Sequence, residues 1–219
     1  MTDSTMLTSV MWNEYLSSGE YKPRAIIYNS YDYPSKIRID KHKIDWIKSE
    51  EGAKVRIDGK TIVLKGKSTI NNIRDSIKDD VDFANDWEEL RIYNYNEREI
   101  ILIKMNFQPC SGTACSVHYF LLYDVTRKCE NFFGSFYGND DIRLYDFQND
   151  DKVDFVAQTF IDRTSENGSI TFIYELYSMN KNGRFEAMKN ADGSNVRCVN
   201  TAFLNDSTGK DSFIQNWIK

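Results

Sequence analysis

Short runs of apolar residues, separated by polar turns, recur along most of this chain. The segment 36–40 alternates apolar and polar residues, whereas 25–31, 87–95 and 99–107 are more continuously apolar. Such runs, rich in β-branched and aromatic residues, are typical of strands. Hairpin turns are predicted where Gly follows Asp or Asn, at 58–59, 167–168 and 182–183. The pattern therefore predicts about a dozen strands, most of them paired with a sequence neighbour.

Two segments have a helical pattern instead. Residues 68–78 repeat Ile at spacings of three and four, and residues 211–219 place Phe213, Ile214, Trp217 and Ile218 on one helical face. Residues 5–18 fit a helix or a strand. The expected fold class is mainly β (α+β), with one antiparallel sheet or two packed sheets and two or three short helices.

The strongest strand signals lie in the middle of the chain. The strands 99–107 and 116–125 are apolar at the successive positions 100–103 and 120–122, so they are predicted to be antiparallel neighbours with both faces covered. The length of 219 residues suits a single domain, 1–219. An acidic, turn-like stretch at 78–88 leaves open a subdivision into 1–85 and 86–219.

The overall charge limits the classes of partner. The net charge is −5, and no run of basic residues offers a site for nucleic-acid phosphates. An acidic protein suits a basic protein partner, because complementary charge speeds the encounter. No apolar stretch reaches the 18 residues of a transmembrane helix, so no membrane span is expected.

Four cysteines are compatible with two disulfide bonds. Cys110 and Cys115 enclose a four-residue turn between strand-like runs, which brings the two residues within disulfide reach. Cys129 and Cys198 would then pair by elimination. Buried thiols and a metal site remain as alternatives.

Disulfide bonds indicate a periplasmic or other extracytoplasmic protein, whose export signal is expected to be absent from this chain. A cytoplasmic location is the alternative, because residues 1–7 lack the basic-then-apolar order of a signal peptide.

Acidic residues are concentrated between residues 139 and 154. Oxygen ligands for calcium would come from alternate positions of a tight loop, with Lys152 contributing its carbonyl: Asp146, Gln148, Asp150, Lys152 and Asp154. This spacing resembles the calcium loop of FG-GAP and VCBS-type repeats. Gln148 and Asp151 depart from that pattern, which has Asn or Asp and Gly there. No cofactor is predicted: the loop is expected to be an exposed acidic turn, and calcium binding is the alternative.

The same loop is a candidate partner-binding surface, because its negative charge would steer a basic protein. The residues expected to contribute are Asp140, Asp141, Asp150 and Asp151. A cluster of Tyr28, Tyr31 and Tyr33 could form a second patch or consist of ordinary strand residues.

No catalytic residue is predicted. His42 lies among charged residues and is expected at the solvated surface, and His118 lies near Cys115 without an obvious catalytic role. The chain contains no nucleophile elbow, phosphate-binding loop or zinc-binding motif.

The size, acidic charge and cysteine-bounded hairpin resemble those of bacterial extracytoplasmic immunity proteins. That resemblance implies a non-enzymatic protein that neutralises a toxin. A carboxylate-based hydrolase of glycan or cell wall and a calcium-stabilised surface module are the alternatives.

Overall fold

A computed structural model describes residues 21–29, 35–47, 53–64, 87–107, 117–136, 144–146, 150–163, 169–203 and 212–218. The chain divides into two compact units. The sandwich unit is Lys22–Tyr137, and the single-sheet unit is Met1–Tyr21 with Gly138–Lys219. The predicted single domain, or its division near residue 85, stays a prediction.

The described residues form antiparallel strands and turns. In the sandwich unit the strands are β1 (Ala25–Tyr28), β2 (Lys36–Ile39), β3 (His42–Ile47), β4 (Lys54–Ile57), β5 (Lys60–Val63), β6 (Trp87–Tyr95), β7 (Arg98–Phe107), β8 (Val117–Asp124) and β9 (Cys129–Phe136). In the single-sheet unit they are β10 (Leu144–Tyr145), β11 (Asp154–Arg163), β12 (Ser169–Met179), β13 (Phe185–Ala187), β14 (Arg197–Phe203) and β15 (Ser212–Ile218). The predicted β-rich antiparallel architecture is confirmed.

Two sheets enclose the core of the sandwich unit. One has the strand order β1-β6-β7-β8-β9, and the other has the order β2-β3-β4-β5. Alternate residues of both sheets point into one shared apolar cluster, which includes Ile44, Val55, Leu90, Ile103 and Leu121. The period-2 alternation of strands therefore determines which side chains fill this core.

The two central strands behave as predicted. β7 and β8 are antiparallel neighbours, with Ile103 opposite Leu121. Leu102 and Leu122, on the opposite face, are buried as well. Burial on both faces explains why these strands have apolar residues at successive positions.

The Asp58-Gly59 turn between β4 and β5 is also confirmed. Asp58 has φ 46° and Gly59 has φ 91°, so both central residues are left-handed, and Ile57 pairs with Lys60 across the turn. A two-residue turn of this kind matches the right-handed twist of the strands it joins.

The single-sheet unit has the order β10-β11-β12-β14-β15, with β13 also pairing with β12. The Asn182-Gly183 turn lies between β12 and β13, as predicted, and Gly183 has φ 83°. Buried Glu175 of β12 accepts hydrogen bonds from Arg197, Asn195 and Tyr177. These three donors compensate the burial of a carboxylate.

The predicted C-terminal helix is wrong. Residues 212–218 form β15, which pairs with β14 along its whole length, with Trp217 opposite Cys198. Phe, Ile and Trp favour a strand as readily as a helix in so short a segment, and the backbone of β14 supplies the hydrogen-bond partners. The described residues contain no helix; the predicted helix at 68–78 and the segment 5–18 lie outside them.

Candidate functional site

In the described part of the acidic loop, the Asp146 carboxylate binds backbone amides that follow it in the sequence. Asp146 accepts hydrogen bonds from the amides of Asp150 (3.0 Å) and Asp151 (3.2 Å) through its two carboxylate oxygens. Asp151 has φ 60° and is exposed, whereas the Asp150 side chain is 29% exposed and is paired with Lys152. Of these two residues, Asp151 therefore carries its negative side chain towards solvent. The other predicted partner-binding residues, Asp140 and Asp141, lie outside the described residues.

The predicted calcium ligands are only partly described. The cation that contacts Asp150 is the ammonium group of Lys152, with Nζ 2.5 Å from Oδ2. Asp154 is a buried residue of β11, opposite Tyr145, and Gln148 lies outside the described residues. Among described side chains, no group of three or more His, Cys, Asp or Glu residues could hold a metal ion. Calcium binding stays a prediction.

The cysteines show no disulfide bond in the part of the chain that the structure describes. Cys129 is a buried thiol at the start of β9, so the pairing with Cys198 that was inferred by elimination is not supported. Cys198 lies on β14, which belongs to the other compact unit. Cys110 and Cys115 lie outside the described residues, so their predicted disulfide bond is untested.

His42 is the clearest departure from the sequence prediction. It was expected at the solvated surface, but its side chain is only 2% exposed. Its Nδ1 lies 2.5 Å from Asp58 Oδ2, and its Nε2 lies 3.0 Å from Glu99 Oε2. The distance between Nε2 and Glu99 Oε2 is that of an ion pair, but the two groups are not aligned as a hydrogen bond.

This His42 cluster joins the two sheets of the sandwich unit. His42 begins β3 in one sheet, Glu99 lies on β7 in the other, and Asp58 lies in the β4–β5 turn. Glu99 also accepts a hydrogen bond from the Arg24 guanidinium through Oε1 (2.7 Å), and its Oε2 lies 3.0 Å from Lys41 Nζ. Arg24 extends the network to Asp40 at 2.6 Å.

The cations of the cluster keep its two carboxyl groups ionised. Partial burial acts to raise the pKa of Glu99, but the hydrogen bond from Lys41 and the charges of His42, Lys41 and Arg24 outweigh it, so this pKa is lowered. Burial likewise opposes ionisation of Asp58, yet the hydrogen bonds from His42 and the Lys43 amide lower its pKa. The cluster is a set of mutually compensated charges.

Strand β1 of the five-stranded sheet presents two of the exposed large apolar side chains found among the described residues. Ala25 and Ile27 pack against the core, whereas Ile26 and Tyr28 point to the other face and are 41% and 67% exposed. Among the described strands, β1 lies at the edge of that sheet, beside β6. Tyr28 thus belongs to an exposed surface, while Tyr31 and Tyr33 of the predicted cluster lie outside the described residues.

His118 is buried on β8, with Nε2 4.0 Å from Glu88 Oε2. Glu88 lies closer to Lys104, whose Nζ is 3.1 Å away. This arrangement holds a buried lysine and histidine beside one carboxylate.

Sequence reasoning missed the His42 cluster and the exposure of Ile26, which accompanies the candidate patch residue Tyr28 on β1. The signal for His42 was the alternation of His42, Ile44 and Trp46, which are all buried on β3. Because His42 is itself polar, only Ile44 and Trp46 marked this alternation in the sequence. No signal in the sequence pairs His42 with Glu99, because that contact depends on how the two sheets face each other.

Known proteins offer no relative from which a function could be transferred. No protein-family model, no curated protein and no solved structure matches this chain. Within the described residues, no helix has the length and apolar character needed to cross a membrane.

Proposed function

We propose that this protein is a non-enzymatic binding module, an immunity or inhibitor protein that neutralises a bacterial toxin by direct contact. The observation that carries the proposal is the exposed pair Ile26 and Tyr28 on edge strand β1. Soluble proteins usually protect sheet edges with charges, proline or short bulged strands. An apolar pair at such an edge supports a role in binding another protein.

The two carboxyl groups of the His42 cluster lack the properties of a hydrolase pair. A carboxylate-based hydrolase needs one carboxylic acid whose pKa is raised beside a second that stays ionised. In the His42 cluster the pKa values of both Asp58 and Glu99 are lowered, and cations contact both groups. This pair is suited to holding the two sheets together rather than to proton transfer.

The acidic loop is proposed as an independent contributor to association rate. Asp146 accepts hydrogen bonds from the amides of Asp150 and Asp151, so the exposed Asp151 is presented to solvent beside the Asp150–Lys152 ion pair. Replacing Asp150 and Asp151 by Lys should slow association with a basic partner at low salt and leave the rate at high salt nearly unchanged. The proposed compartment is periplasmic or otherwise extracytoplasmic, and oxidation of Cys110 with Cys115 would support it.

The direct test uses the purified protein encoded beside this gene as the titrant. Calorimetry would compare the wild type with Tyr28→Ser and with Val63→Ser as the matched control. Val63 is also an exposed apolar side chain, at 48%, but it lies on β5 of the other sheet. We expect Tyr28→Ser to weaken binding about tenfold or more and Val63→Ser to bind like wild type.

Two results would reject the proposal. One is the absence of both binding and protection of cells against the neighbouring gene product. The other is equal weakening by the two substitutions, which would indicate a nonspecific apolar contact.

A further inference from the structure

We infer that the outer face of the sheet β2-β3-β4-β5 is a docking surface for a membrane that contains anionic lipids. This basic face is defined by five cations on its first three strands: Lys36, Arg38, Lys43, Lys54 and Arg56. Anionic headgroups attract clusters of Lys and Arg to a membrane surface. The inference goes beyond the proposed function, because the toxin contact is assigned to β1 of the other sheet.

The period-2 alternation of strands brings these cations together. Ile37, Ile44 and Val55 point into the core shared with the other sheet, so the residues next to them in each strand point outward. These outward residues are basic in β2, β3 and β4 alike. Buried residues therefore separate the cations along the chain, which is why no run of basic residues marks this face in the sequence.

Negative charge is scarce on the basic face. Among the residues of its four strands, the one carboxylate is that of Asp45, whose Oδ2 lies 3.5 Å from Arg56 Nη1. Asp58, in the β4–β5 turn, binds the His42 ring and the Lys43 amide instead. The sandwich unit as a whole has 19 Lys and Arg residues against 17 Asp and Glu residues, so the acidic excess of the chain lies in the single-sheet unit.

Two of the cations stand directly opposite each other. Arg38 pairs with Lys43 across β2 and β3, and both residues are exposed. The Trp46 amide donates to the Ser35 carbonyl at 2.7 Å, and hydrogen-bonded pairs alternate with non-hydrogen-bonded pairs along an antiparallel ladder. Arg38 and Lys43 therefore form a non-hydrogen-bonded pair, in which side chains lie closest. Like charges in this position destabilise a sheet, and an anionic headgroup between them would remove the repulsion.

Aliphatic side chains among the cations favour a membrane over a nucleic acid. Lys54 lies in one row between Ile47 of β3 and Val63 of β5, and Val63 is 48% exposed. A membrane interface accepts aliphatic side chains together with cations, whereas a phosphate backbone attracts the cations alone. The described strands also place no exposed aromatic side chain on this face that could stack on bases.

The experiment measures co-sedimentation of the full chain with phosphatidylcholine vesicles that contain about 30 mol% phosphatidylglycerol, and with vesicles of phosphatidylcholine alone. We expect binding to the charged vesicles at low salt and weaker binding as salt rises, because salt screens exposed charges. Arg38→Gln combined with Lys43→Gln should weaken this binding about 25-fold, since each cation near an anionic surface contributes a factor of about five.

The matched control combines Lys181→Gln with Arg184→Gln. It removes the same two residue types from exposed positions of the single-sheet unit, and it should bind charged vesicles like wild type. The variant of Arg38 and Lys43 loses a like-charge pair, so it should be at least as stable as wild type, which separates loss of binding from loss of fold. Val63→Ser should weaken vesicle binding about threefold without changing its salt dependence.

Several outcomes would overturn the inference. They are absence of vesicle binding at low salt, equal binding to charged and uncharged vesicles, equal weakening by the two double variants, and a variant of Arg38 and Lys43 that is less stable than wild type. Tighter binding of a random-sequence DNA duplex than of vesicles at equal phosphate concentration would assign the face to nucleic acid. Displacement of the vesicles by millimolar inorganic phosphate would reduce it to a site for a free anion.

The toxin contact is tested separately from the membrane contact. Tyr28→Ser should lose the toxin and keep vesicle binding, whereas the variant of Arg38 and Lys43 should do the reverse. Failure of one proposal therefore leaves the other standing.

Discussion

At the scale of single residues, the sandwich unit contains a buried histidine with a carboxylate beside each of its two ring nitrogens. His42 reaches Asp58 with one ring nitrogen and Glu99 with the other, and Arg24 and Lys41 balance the remaining charge on Glu99. Burying a charge is costly unless opposite charges and hydrogen bonds surround it. The cluster therefore contributes to stability only while all its members are present.

Replacing His42 by Gln should lower the free energy of unfolding by about 2–3 kcal/mol, because two carboxylates lose the imidazole that lies between them in a buried position. The value is at the low end for a buried pair because the Asp58 side chain is 39% exposed. Urea denaturation of the variant and of Lys43→Gln, an exposed neighbour on the same strand, measures this. Equal stability of both variants would mean that the cluster is not stabilising.

The same cluster predicts loss of stability in acid. The pKa values of Asp58 and Glu99 are lowered from their ordinary values of 3.8 and 4.5. Their contribution is therefore complete above those values and is lost as the pH falls below them, because the unfolded chain binds protons first. Glu99→Gln should flatten this acid dependence in unfolding measurements at successive pH values. A variant profile parallel to that of wild type would contradict the assignment.

At the scale of elements, a strand could be predicted where it is buried on both faces or is followed by a tight turn, because each of these features leaves a local pattern in the sequence. The continuous apolar runs of β7 and β8 and the Asp58-Gly59 turn are such cases. β15 was predicted as a helix because its apolar residues fit both periods, and only pairing with β14 decides between them. β3 was missed because its first buried residue, His42, is polar, which leaves only Ile44 and Trp46 to mark the alternation. Contacts between elements distant in sequence, such as His42 with Glu99, have no local signal.

The position of β8 predicts a large effect of Leu121→Ala. Leu121 is fully buried in the core shared by both sheets, so truncation leaves a cavity and should cost about 2–5 kcal/mol. Thr61→Ala, at an exposed position of β5, should change stability by less than about 0.5 kcal/mol. Chemical denaturation of both variants provides the comparison, and a loss below about 1 kcal/mol for Leu121→Ala would indicate a loosely packed core.

At the scale of the whole molecule, stability and the proposed binding belong to different parts of the sandwich unit. The shared core and the His42 cluster hold the two sheets together. Strand β1 begins directly after Arg24, a member of the network around that cluster, and presents Ile26 and Tyr28. The prediction is that a toxin binds this prepared edge and leaves the other sheet untouched.

Amide hydrogen exchange of the full chain, alone and bound to the protein encoded beside its gene, tests this most directly. We predict slower exchange at Ile26 and Tyr28 on binding, and unchanged exchange across the β4–β5 hairpin, 54–63. Protection confined to segments other than β1, or a complex that leaves Ile26 and Tyr28 exchanging as in the isolated protein, would contradict the proposed binding edge.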